Sequence, residues 1–191
     1  MEYRDVLGVV TVILAFAVYV PYYITIFQGK TKPHLYTYLI GGIVSLVAFA
    51  GALTSGAGAG AWNIGASALL VGGVLILSFR YGTKDIQPVD TLLAVGAGLT
   101  IIPWILTDDP TLSVVLASLI DSASMIPTMR KTWHDPHSEP YLVWGLNAVK
   151  HTLAIAAVST VSVATVFYAS SMVVMNGSLA AMTFLRQKAQ N

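Results

Sequence analysis

Six residues of this 191-residue chain could do chemistry in surroundings that otherwise offer none: Asp121, Trp144, Asn147, Lys150, His151 and Asn176. Each stands within runs of Val, Leu, Ala, Gly and Ile. Trp144, Asn147, Lys150 and His151 follow i, i+3, i+6, i+7 spacing, so on a helix they share one face. Asp121 lies nine residues before Arg130, Lys150 ten after Pro140, and Asn176 ten before Arg186. A helix rises about 1.5 Å per residue, so all three sit at one depth, roughly 13–15 Å in from the polar segments that anchor them. A lone charge at that depth in an apolar medium is costly. The pattern therefore predicts that Asp121 pairs with Lys150, with Asn176 and His151 completing the network, or that the group faces a cavity. Such a set can bind, gate or protonate a small solute; the same pair can also serve only to lock helices together. No nucleophile stands with a base and an orienting partner, so binding is expected rather than catalysis, with no catalytic residue.

The elements that hold these residues follow from composition. Apolar residues make up 55% of the chain, charged residues only 10%, and mean hydropathy is +0.72. A soluble domain carries roughly 25% charged residues. Apolar segments of about 20 residues recur, the length that crosses a bilayer as a helix. Lipid offers the backbone no hydrogen-bond partners, which leaves helices or closed barrels. Period-2 alternation is missing, so an all-α integral membrane protein is expected, with the lipid bilayer as its first partner. A net charge of +1 gives no reason to expect nucleic acid, and the absence of cysteine removes disulfides and thiolate metal sites. No metal or cofactor is expected either. The "HDPH" segment at 134–137, with Glu139 and His34, lacks defined ligand spacing. "GAGAGA" at 56–61 follows no strand, lacks the Lys-Ser/Thr of a phosphate loop, and reads as a flexible outer turn. The first apolar run, Val6 to Phe27, exceeds a signal-peptide core and reads as a retained span.

Polar or Gly/Pro-rich breaks divide the chain into seven helices, roughly 5–27, 36–54, 62–79, 89–106, 111–129, 141–157 and 163–185. In that count Lys30, Lys32, Arg80, Lys84, Arg130, Lys131, Arg186 and Lys188 fall on one side and only Arg4 on the other. Basic loops stay in the cytoplasm. The expected placement is thus the plasma (inner) membrane, with the N-terminus outside and the C-terminus cytoplasmic. Tyr19, Tyr22, Tyr23, Tyr36, Tyr38 and Trp133 read as anchors at the cytoplasmic interface. Gly41, Gly42, Gly72 and Gly73 favour close helix contact, internally or across a homodimer.

The chain also echoes itself. Pro21 and Pro127 stand 106 residues apart, as do Arg80 and Arg186, while Pro33 and Pro140 stand 107 apart. Three helices (1–88), a linker helix (89–107) and three more (108–191) accommodate these spacings. A unit of three ends on the opposite face from its start, so the linker returns the chain. The two three-helix bundles become parallel repeats about an axis along the membrane normal. The counterparts of Asp121, Lys150 and Asn176 are Ala15, Ile43 and Leu70. The first bundle offers a shared site only its tyrosines, Ser45 and Asn63. Either the solute binds asymmetrically, or the charged cluster belongs to the second bundle alone and is structural.

This 3+1+3 layout, with Pro21 and Pro127 near the cytoplasmic ends of helices 1 and 5, resembles the PQ-loop superfamily, which includes the SWEET sugar transporters. "GKTKPH", "TDDP" and "DPHSEP" resemble prokaryotic seven-helix PQ-loop-like proteins. The naming dipeptide departs from the pattern, reading Pro-Tyr at 21–22 and Pro-Thr at 127–128, so the resemblance extends to fold and not to substrate. It implies proline hinges at Pro21 and Pro127. It also implies a carrier for a small solute (sugar, amino acid or vitamin-like) working by alternating access. The alternatives are a non-transporting receptor or scaffold of the same fold and, more remotely, a retinal-type light-sensing protein with a buried Lys and Asp.

Overall fold

A computed structural model of the chain describes residues 2–29, 33–82, 88–125, 129, 132–134, 136 and 141–190. Among them are no strands. The principal helices are α1 (Tyr3–Phe27), α2 (Leu35–Thr54), α3 (Trp62–Tyr81), α4 (Pro88–Leu99), α5 (Ile102–Thr107), α6 (Pro110–Ser124), α7 (Tyr141–Ala156) and α8 (Val163–Gln190). A 3-10 turn, Gly58–Ala61, precedes α3.

Boundaries fall where local chemistry puts them. Glu2 and Asp5 close a reciprocal capping box on α1, and the Asp109 carboxylate accepts from the Thr111 N–H at 2.8 Å to start α6 behind Pro110. The fourth apolar run, expected as one helix over 89–106, is two. Pro103 has no N–H to give and its ring crowds the carbonyl four residues back, at Leu99, where α4 ends. Thr100 turns its hydroxyl onto the Ala97 carbonyl at 2.7 Å, and the chain turns before α5 begins. The next helix, expected to reach 129, stops at Ser124. Near its end the Ser118, Ser122 and Ser124 hydroxyls bond carbonyls one turn back, competing with the ladder. α1 runs unbroken through Pro21, whereas Pro127 lies outside the described residues.

Among the described residues, five helical stretches are long and apolar enough to cross a membrane: Tyr3–Phe27, Leu35–Thr54, Gly58–Tyr81, Pro88–Thr107 (α4 and α5 together) and Val163–Gln190. Pro110–Ser124 is a shorter apolar one. Large apolar side chains face outward, among them Leu69, Ile76, Phe79, Leu92 and Leu106, while Lys150, His151, Asn63, Asn176 and Thr183 are buried inside. Apolar outside and polar inside inverts the arrangement of a water-soluble domain and fits a membrane protein.

α3 packs against both α1 and α2, and α8 against both α6 and α7. Between these groups α1 meets α7 and α2 meets α6, while α4 lies against α2 and α6. The core runs through this junction, with Val44, Ala48, Ile64, Val114, Ala117 and Met172 in one cluster. Ring contacts fix which ends lie together: Tyr22 with Tyr38, Phe27 with Tyr81, and Tyr141 with Phe184. The C-terminal ends of α1 and α3 thus gather with the N-terminal end of α2, and the C-terminal end of α8 with the N-terminal end of α7.

Candidate functional site

A cavity of about 170 Å³ lies between the two groups of helices. All six residues singled out from the sequence line it: Asp121 from α6, Trp144, Asn147, Lys150 and His151 from α7, and Asn176 from α8. The helical spacing that put four of them on one face of α7 is the reason they converge. Opposite them stand Tyr19 of α1, Tyr38 and Ser45 of α2, and Ser67 of α3, with Tyr168 of α8 beside Asp121.

The predicted Asp121–Lys150 ion pair does not form. Among the described residues the one contact within 4.0 Å between a basic and an acidic side chain joins His34, at the start of α2, to Asp90 of α4 at 3.6 Å. The Lys150 ammonium, with its residue 2% exposed, turns instead to α3 and donates to Ser67 Oγ at 3.2 Å. It also lies 5.9 Å from the centre of the Tyr19 ring, within cation–π range. The Asp121 carboxylate accepts from the Tyr168 hydroxyl at 3.4 Å. Helical rise predicted the shared depth of the two charges, but not the direction in which each side chain leaves its helix. Depth alone does not make a pair.

His151 also reaches across. Its Nδ1 sits 3.2 Å from the buried Asn63 amide nitrogen of α3, and its ring meets the edge of Tyr168 at 5.9 Å. Asn147 and Asn176 each bond a carbonyl one turn back on their own helix. The polar set is therefore shared between the two groups of helices rather than confined to the second. Lys150 and His151 each bridge to α3.

Sequence reasoning assigned Tyr19 and Tyr38 to the membrane interface, whereas both line the cavity. Tyr23 is also turned inward, its hydroxyl donating to the Leu70 carbonyl. The signal available was register: Tyr19 lies two turns C-terminal to buried Thr11 and one turn from buried Ala15, hence on the inward stripe of α1. Ser67 gave no comparable signal, being one small residue among Ala and Gly.

The lining runs from mid-helix to the end where Thr37, Tyr38, Ser124, Met125 and Trp144 stand. No lining residue comes from the opposite end, where the chain is tightly packed. There Ser159 N–H donates to the Ala57 carbonyl at 3.0 Å and Thr160 N–H to the Gly56 carbonyl at 3.1 Å, joining the α2–α3 turn to the α7–α8 turn. A Cβ on Gly60 would stand 2.5 Å from Val158 Cγ2 and 2.9 Å from its Cα and N. Gly58, at φ +59°, lies against the Ser159 hydroxyl. Ala57, Ala61 and Ala157 are fully buried. The "GAGAGA" segment is thus no flexible turn. Its glycines allow close backbone approach, and the turn seals that end.

Among the described residues no group of three or more His, Asp or Glu gathers to hold a metal ion; Asp135, His137 and Glu139 lie outside them. Comparison with protein-family models, curated proteins and solved structures gave no match.

Proposed function

We propose that the protein is a small-solute membrane carrier working by alternating access, with its binding site in the cavity between two three-helix bundles. The observation that carries this is the asymmetry of that cavity: polar side chains line it from mid-helix to one end, and hydrogen-bonded turns seal the other. A carrier held in one of two states has this form.

The 3+1+3 repeat gives the reading its mechanical parts. Its support lies in how the helices pack. If α1–α3 and α6–α8 are repeats, a twofold exchanges α1 with α6, α2 with α7 and α3 with α8. It then turns the α1–α7 contact into an α6–α2 contact, and both occur. It keeps the third helix of each bundle between the other two, as α3 and α8 are. It also exchanges the α2–α3 and α7–α8 turns, the pair that forms the seal. α4 and α5 are then the linker. This is the arrangement implied by the PQ-loop-like resemblance, with Arg80, Arg186 and Lys188 at the cytoplasmic end and the seal at the outer one. Under it, rocking of the bundles parts the two turns and closes the polar end.

The chain has no cysteine, so a disulfide can be introduced on a clean background. Ala57→Cys with Ser159→Cys joins the two turns across their hydrogen bond. Reconstituted in vesicles, the oxidised variant should lose solute flux and recover it on reduction. Full flux through the oxidised variant would sink the proposal, since no parting of the turns would then be needed.

A further inference from the structure

Resting on the carrier reading, we infer that the solute is a small zwitterion, a neutral α-amino acid of about the size of alanine, its carboxylate on Lys150 and its ammonium on Asp121. An ammonium has three donors and a carboxylate about four acceptor sites. Lys150 spends one donor on Ser67, and Asp121 accepts one bond, from Tyr168 at 3.4 Å. The two charges are of opposite sign and line one cavity, yet they are not in contact. A buried charge is expensive unless paired. A solute carrying both complementary charges pairs both at once and adds no net charge to the site. An anion, a cation or a neutral sugar leaves one or both unpaired.

Size narrows the class further. An apolar cavity of about 150 Å³ holds a benzene, roughly six non-hydrogen atoms. At about 170 Å³ the cavity matches the smaller amino acids more closely than a hexose, which has about twice as many such atoms as that benzene benchmark. Tyr19, from the first bundle, faces the ammonium of Lys150 across 5.9 Å. Trp144 and Met172 supply apolar wall for a short side chain.

The test is calorimetric titration of the purified full chain with alanine, propionate, ethylamine and glucose, alongside counterflow of labelled alanine in vesicles. Alanine should bind, and propionate and ethylamine, each missing one charge, should bind at least about tenfold more weakly, the worth of one hydrogen bond to a charged group. Glucose should not bind. Asp121→Asn should erase the preference for alanine over propionate, and Lys150→Met the preference for alanine over ethylamine. If either variant fails to fold, the four-ligand series on the unaltered chain still decides. Equal binding of propionate and alanine overturns the inference in favour of an anion site, and tighter binding of glucose overturns it in favour of a sugar. Should either of those solutes then show counterflow, the carrier reading stands without the zwitterion. Alanine that binds with the expected preferences but shows no counterflow keeps the zwitterion site and removes the carrier.

Discussion

At one end of the bundle Gly60 has no room for a Cβ, because Val158 Cγ2 lies 2.5 Å from where it would stand. Further along the same helices, Lys150 and Asp121 face a cavity of about 170 Å³ with bonding capacity unspent. The sealed end is held by backbone hydrogen bonds and small residues at contact distance; the polar end is furnished by long side chains, among them Lys150 and Asp121 with one hydrogen bond each. The first arrangement is at its steric limit and gives way only by separating. The second can accept a ligand or change rotamers without moving a helix. Rigidity and readiness are thus divided along the helix axes, and each part can be disturbed alone.

The largest effect is expected at the seal. Gly60→Val places a branched side chain against backbone atoms of Val158, and overpacking of this kind typically costs about 1–3 kcal/mol. Relief requires the two turns to part. Thermal stability should fall, and a cysteine placed at Ala57 should react faster with a membrane-impermeant thiol reagent than in the unaltered seal. Gly72→Ala is the matched control, since nothing lies within 4 Å of the Cβ it adds. It should be neutral or stabilising by up to about 1 kcal/mol, from helix propensity. Equal tolerance of both substitutions would erase the distinction between the two ends.

The same contrast shows what was legible in the sequence. Helices were legible because apolar runs long enough to span are interrupted by Pro, Gly and charge; even the break before α5 is written in Pro103. The depth of Asp121, Lys150 and Asn176 was legible because helical rise converts residue count into distance, and all three meet in one cavity. The Asp121–Lys150 pair was misread because sequence gives height along a helix but not the neighbour a side chain meets; Ser67 and Tyr168 took those contacts. The seal was misread for a related reason. Glycine permits both flexibility and close approach, and only the surroundings of Gly58 and Gly60 decide between them.

A middle-sized effect tests the polar end. Lys150→Met keeps the apolar stem and removes a buried ammonium that makes one hydrogen bond, to a hydroxyl, and lies near one ring. Replacing buried charge with packed apolar volume is often neutral or stabilising. The melting temperature should hold or rise, by the equivalent of about 1–2 kcal/mol, while the protein loses its solute. Combined with Asp121→Asn, the effects should nearly add, with a coupling well below the 3–5 kcal/mol typical of breaking a closed buried pair. Strong rescue in the double variant would mean that the two charges do meet, and would reduce the site to a lock between helices.

The smallest effect belongs to the rim of the sealed end, where α6 begins. Gly51 of α2 packs there on Val114 and Pro110, so the start of α6 must hold for the α2–α6 contact to form. Asp109 holds it, and bonds from Thr111 keep its carboxyl below the usual carboxylate range. A depressed native value means that the ionised form stabilises the fold. That contribution is fully present above the unfolded pKa and is lost as pH falls through the lower, folded one. In the unaltered chain, therefore, a small part of the stability should disappear only in acid below the ordinary carboxylate range. Asn caps a helix about as well as Asp but does not titrate there. Asp109→Asn should match the parent near neutral pH and lack that acid-dependent increment, whereas Asp109→Ala should be slightly weaker across the whole range. Melting temperatures of the three proteins against pH would separate these outcomes. A parent and an Asp109→Asn variant that run parallel into acid would show that the carboxylate charge at this rim contributes nothing, leaving the seal's turns and glycines to hold that end unaided.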